Sequence, residues 1–184
     1  MFFKIIEFLS CIGYKKFSEE NVNEWTKKYI KESAGLPDYT KKVISHYCKE
    51  DQPQINKCLR VGQQLNEESS KYMKALDAAL SKKIGENIIV YRNLKENPFV
   101  NKSAFIEKGY MSTSLLDGSI SAIHNGKYML KIIVPSSCHG FYVDYISQRT
   151  GEYELLLKRS TKLKKIASIR QQDRVLILCK AEYI

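Results

Sequence analysis

The apolar residues of this chain change their repeat once, near Gly85, and that switch limits the fold more than any other feature. Upstream they recur at three and four, the spacing of one helical face. Ser18 caps a predicted helix with Glu19 and Glu20 in its first turn and Val22, Trp25, Tyr29 and Ile30 as its stripe, ended by Gly35 and Pro37. Asp38 caps a second helix through Tyr47, with Val43, Ile44 and Tyr47 facing inward. A short third spans Ile55 to Leu59. A fourth starts at Asn66, carries Tyr72, Met73, Leu76, Ala79 and Leu80 on one side, and stops at Gly85. Downstream the runs are short and β-type: 87–91, 109–115, 128–134, 141–146, 152–157, 166–169 and 175–179. Asp117-Gly118, Asn125-Gly126 and Pro135-Ser136 part some of them. Helices first and mostly antiparallel strands afterwards indicate α+β, with N-terminal helices packed on a β-sandwich core of two sheets.

At 184 residues the chain suits one domain, read here as residues 16–184, with a helical extension over 1–15. In that extension Phe2, Ile5, Ile6, Leu9 and Ile12 repeat at helical spacing, and Glu7 interrupts what would otherwise resemble a signal peptide. A helix packed on the core is the first reading and an interfacial membrane helix the second. No apolar stretch approaches the roughly 20 residues of a membrane span. The five cysteines are scattered, without CxxC spacing, which predicts free, mostly buried thiols and no metal site. The net charge of +10 comes from lysine pairs spread along the chain, not from one basic tract. A solvated basic surface is the plain reading, attraction to an anionic partner the functional one, and no nucleic-acid motif accompanies it.

The run GEYELLL holds Glu152 and Glu154. In an extended strand the two share a face, with Tyr153, Leu155 and Leu157 on the other. Taken alone, this reads as the solvated acidic face of an edge strand, because burying two unpartnered carboxylates is costly.

Its context changes that reading. Val90-Tyr91-Arg92, then Gly109-Tyr110-Met111-Ser112-Thr113-Ser114-Leu115, then Glu152-Tyr153-Glu154 stand in order. Together they resemble the arginine, Ser-Thr-Ser and Glu-x-Glu set of the bacterial mono-ADP-ribosyltransferase toxins. Ile55-Asn56 with Leu59-Arg60 is similar to the I-N-x-x-L-R stretch on an early helix of these enzymes. The resemblance runs from about residue 18 to the C-terminus and implies the ADP-ribosyltransferase fold, with NAD used as an ADP-ribose donor.

The resemblance also implies roles. Glu154 stabilises positive charge on the ribose as the nicotinamide bond breaks, the kind of transition state that glycosidase carboxylates serve. Glu152 faces the acceptor. Glutamate there goes with arginine in the family, and a carboxylate both grips a guanidinium and takes its proton. Arg92 holds the NAD phosphates, Asn93 offers its backbone to the nicotinamide amide, and Ser112 orients Glu154. Thr113 and Ser114 support the strand and the pocket wall. Asn56 and Arg60, four apart on a helix, reach the adenosine ribose and a phosphate; read without the family they are a helix-surface pair.

Two regions depart from the family. Where relatives carry an aromatic and an arginine before the next strand, this chain has His124 and Lys127, so Lys127 is the candidate phosphate contact there. Arg149 stands where some relatives have an aromatic residue, in the loop 147–151 that would meet the protein substrate. The compact size is that of the exoenzymes that modify Rho on asparagine, whereas the catalytic pair is of the arginine type. The expected activity is therefore transfer of ADP-ribose from NAD to an arginine of a host protein, with small GTPases and actin as candidates. The enzyme would be secreted and act in the host cytoplasm, with membrane association left open. The alternatives are an NAD glycohydrolase and a catalytically inactive binding module.

Overall fold

The helical half forms largely where the periodicity places it. The computed structural model describes residues 2–118, 126–147, 149 and 151–183. Its helices are α1 (Phe2–Cys11), α2 (Glu19–Thr26), α3 (Lys28–Ala34), α4 (Asp38–His46), α5 (Gln52–Val61) and α6 (Glu67–Ala79), with a π-helical turn, Tyr47–Asp51, joining α4 to α5. The Asn66 side chain caps α6 by accepting from Ser69 N at 2.7 Å. The expected helix from Ser18 is two, because the chain turns at Lys27, and Ile30 stands half exposed rather than in the stripe. Pro37 is the N-cap of α4, and Asp38 is its first residue. Gly85 does not end α6, which stops at Ala79; its positive φ of 80° turns the chain between Ile84 and β1, where its N–H bonds Ser136 O.

The strands are β1 (Ile88–Leu94), β2 (Ala104–Glu107), β3 (Met111–Ser114), β4 (Tyr128–Val134), β5 (Gly140–Tyr142), β6 (Glu154–Leu157), β7 (Thr161–Gln171) and β8 (Arg174–Tyr183), with a short helix α7 (Asp144–Ser147) between β5 and β6. They run in the order β2-β7-β8-β4-β1-β3-β6-β5, antiparallel throughout except for β4 beside β8. The α+β class and the mostly antiparallel strands are as expected. The two expected sheets are instead one continuous ladder, narrowed to a single register pair, Tyr91↔Ser114, between β1 and β3. On either side of that pair lie a five-stranded and a three-stranded part, and one core draws on both: Val90, Leu130 and Ile177 from the first, Met111, Leu156 and Phe141 from the second. The run 141–146 is not one strand, because after Tyr142 the backbone turns into α7. β2 was not foreseen.

Trp25 anchors the helices to this core. Its ring meets Phe17 at 4.9 Å and Tyr29 at 5.3 Å, and Tyr29 meets Phe141 of β5 edge-on at 5.3 Å. The opposite face of the sheet is covered by α1. There Phe3 packs with Ile133 and Leu178, joined by Ile6, Cys11 and Tyr14, and Glu7 pairs with Lys131 at 2.7 Å. The outer side of α1, with Phe2, Ile5, Phe8, Leu9 and Ile12, is exposed. No helix among the described residues is long and apolar enough to cross a membrane. All five cysteines are free thiols, four of them buried.

Candidate active site

The cleft begins where the sheet forks. Past Tyr91, β1 keeps its pairing with β4 and leaves β3, so Arg92 and Asn93 flank the gap on one side and Ser112 on the other. β6 pairs with β3 from Leu157↔Met111 to Glu154↔Ser114 and delivers Glu154 to the same place.

Glu154 is buried, and the Ser112 hydroxyl donates to its Oε1 at 2.5 Å. Its Oε2 is buried without a hydrogen-bond partner. Such an acceptor costs free energy unless a ligand or water meets it. Burial pushes the Glu154 carboxyl up to about 7; the Ser112 hydrogen bond opposes the shift, while Glu152 and Asp144 add to it. The other two residues of the Ser-Thr-Ser run are structural, as expected. Thr113 Oγ1 donates to Leu155 O at 2.6 Å, and Ser114 Oγ donates to Glu152 O at 2.8 Å.

Glu152 and Glu154 do not share a strand face. β6 begins at Glu154, and Tyr153 has a φ of 49°, a left-handed conformation that breaks the alternation. Asp144 holds this kink: its Oδ2 accepts from Tyr153 N and its Oδ1 from Glu154 N, each at 2.8 Å. Leu115 N completes it by donating to Tyr153 O at 3.0 Å. Burial raises the Asp144 carboxyl to about 6 against the pull of those amides. Glu152 is thereby set outside the strand, partly exposed, with Arg149 Nη1 3.7 Å from its Oε2.

On the other wall, Arg92 is largely buried, and burial lowers its guanidinium pKa against the counter-pull of Glu107. Glu107, at the end of β2, holds two arginines. Arg60 meets it through Nε at 2.8 Å and Nη2 at 3.1 Å, and Arg92 Nη1 lies 3.8 Å away. This carboxylate escaped the sequence reading; the signal available was an acidic residue just before the Gly-Tyr-Met-Ser run. Asn56 shares its helix face with Arg60 but is buried, with Oδ1 accepting from Tyr110 N at 2.8 Å and Nδ2 donating to Tyr110 O at 3.1 Å. Its amide thus ties α5 to the start of β3. Gly109 permits this approach, since a Cβ there would lie 2.5 Å from Asn56 Oδ1. Gly109→Ala is accordingly expected to cost about 1–3 kcal/mol of stability by overpacking, read from chemical denaturation midpoints. Lys127 is exposed, its carbonyl accepting from Val175 N at 2.8 Å. His124 lies outside the described residues.

A buried carboxylate with a free oxygen, a partly exposed carboxylate two residues before it and two arginines across the cleft are the equipment of a group-transfer site for an anionic substrate. The chain belongs to the ADP-ribosyltransferase exoenzyme family of bacterial mono-ADP-ribosyltransferase toxins, whose profile matches residues 22–183. Among solved structures it is similar to Plx2a, an ADP-ribosyltransferase toxin from Paenibacillus larvae, at 25% identity over 91% of this chain and 98% of that one, with a TM-score of 0.76. It shares the fold of an ADP-ribosyltransferase from Clostridium botulinum, at 24% identity over 91% of this chain and 98% of that one, with a TM-score of 0.77. The same holds for C3stau2 from S. aureus, solved with NAD, at 21% identity over 93% and 99% of the two chains and a TM-score of 0.79. No curated protein sequence matches the chain significantly.

Proposed function

We propose that this protein cleaves the nicotinamide–ribose bond of NAD and passes the ADP-ribosyl group to an arginine of a host protein, as a secreted toxin acting in the host cytoplasm. The observation that carries the reading is Glu154, held by Ser112 on one oxygen and free on the other in a buried cleft. Ionised, that oxygen stabilises the positive charge that develops on the ribose as neutral nicotinamide leaves with the bonding electron pair. Arg92 and Arg60 supply fixed charge for the diphosphate, the backbone of Asn93 at the fork meets the nicotinamide amide, and Lys127 adds a point charge at the rim. Glu152, at the mouth, grips the acceptor guanidinium and takes its proton as nitrogen bonds to the ribose carbon.

The test supplies labelled NAD with agmatine, a small guanidine acceptor, and in parallel with a host-cell lysate. Transfer to agmatine and to a lysate protein is the expected result. Nicotinamide release without transfer to either would make the protein a glycohydrolase, and no release would leave a binding module.

Two further expectations follow from the charges. Glu154 works ionised, so kcat/KM for NAD should climb with pH through about 7 and level off above it. A flat profile across that range would exclude the role. Stability runs the other way. A carboxyl raised by folding from 4.5 to about 7 binds its proton more tightly in the native state. Its stabilising contribution is complete below 4.5 and is lost as pH rises through about 7. The second expectation concerns Glu107. Glu107→Gln releases the charge that spaces Arg60 and Arg92, so KM for NAD should rise about tenfold with kcat nearly kept. An unchanged KM would make Glu107 a purely structural residue.

A further inference from the structure

The guanidinium found at the acceptor-side carboxylate belongs to the protein itself. Arg149 places Nη1 3.7 Å from Glu152 Oε2. Of the six arginines in the chain it is the one so placed. Arg60 is hydrogen-bonded to Glu107, Arg92 lies largely buried 3.8 Å from that same carboxylate and not beside Glu152, Arg159 is held by Asp77 through Nε at 2.9 Å and Nη2 at 2.8 Å, and Arg170 and Arg174 sit on the β7–β8 hairpin, bracketing its turn.

We propose that Arg149 is a self-acceptor, modified with ADP-ribose by its own active site. The proposal rests on the transferase reading given above. Arg149 and Glu152 are three residues apart in a tight turn, in which Glu152 N donates to Arg149 O at 3.4 Å and Gly151 supplies a φ of 93°. The contact to Glu152 is one ion pair without a hydrogen bond, and the Arg149 side chain is about one third exposed, so the guanidinium is delivered to the site without being locked there. The step balances. A guanidinium nitrogen of Arg149 bonds to the ribose carbon that bore nicotinamide. The carbon–nicotinamide bond breaks, and neutral nicotinamide takes the electron pair. The displaced guanidinium proton passes to Glu152. No further reactant is needed. An acceptor tethered next to the general base reacts as a unimolecular partner, with the high effective concentration that tethering gives.

The experiment incubates the purified full chain with labelled NAD and maps modified peptides by mass spectrometry, with agmatine transfer measured alongside. The expected result is ADP-ribose on Arg149, formed at a rate per molecule that does not depend on protein concentration. Arg149→Lys should lose self-labelling and still label agmatine, whereas Glu152→Gln should lose self-labelling while releasing nicotinamide. Agmatine labelled with Arg149 unmodified overturns the proposal alone. So does labelling whose rate per molecule rises with protein concentration, which would mean one molecule modifying another. Silence toward both acceptors overturns it together with the transferase reading.

Discussion

Glu154→Gln is expected to lower nicotinamide release from NAD by about 10³-fold, the scale on which a single preorganised electrostatic group acts in a buried site. Glutamine keeps the shape and keeps an acceptor for the Ser112 hydroxyl. What it removes is the charge on Oε2, the atom with no internal partner. Because that charge is held against burial, its removal should not destabilise the fold. At alkaline pH, where wild-type Glu154 is forced to ionise, the variant should melt higher than wild type. A paired measurement of turnover and melting separates catalytic loss from misfolding. Turnover within tenfold of wild type in a folded variant would remove Glu154 from the chemistry.

Glu152→Gln should split the two half-reactions. Transfer to agmatine is expected to fall about 10²–10⁴-fold, the range for removing a positioned general base. Nicotinamide release should stay within a few fold, since Ser112 and Glu154 remain as they were. The separation has a structural basis: the kink at Tyr153 takes Glu152 out of β6, so it shares neither the burial nor the hydrogen bonds of Glu154. Equal loss of both activities would mean that Glu152 supports the cleavage step, and the division of labour would be wrong.

That kink also marks where sequence reasoning stops. The switch from helical to strand periodicity at Gly85 was legible because burial imposes a repeat on the residues that carry it. The hydrogen bond from Ser112 to Glu154 beside the strand that carries Arg92 agrees with a resemblance whose motifs stand in order. The shared strand face of Glu152 and Glu154 was read wrongly, since a tyrosine in left-handed backbone has no compositional sign. It is stabilised by Asp144, which is near in space but belongs to another element. Asn56 and Arg60 do lie on one helix face, yet Tyr110, 54 residues from Asn56, takes up the Asn56 amide. Glu107 stayed invisible because β2 has four residues, too few for a convincing alternation, and its partners come from α5 and β1. The single sheet was missed because a one-pair junction such as Tyr91↔Ser114 leaves no trace in either strand.

The helix α1 separates two kinds of border. The family profile begins at residue 22, so a border drawn from that profile would trim everything before it. Packing would not. The ammonium of Lys131 sits in the middle of β4 with Glu7 as its ion-pair partner, and Phe3 shields Ile133 and Leu178 from water. A version shortened to the profile's span would keep Arg92, Ser112, Glu152 and Glu154. It would also strip Lys131 of its counter-charge and turn an interior apolar surface into an adhesive one. The span of a sequence profile and mechanical integrity are therefore separate accounts of this molecule, and its first helix counts in only one of them.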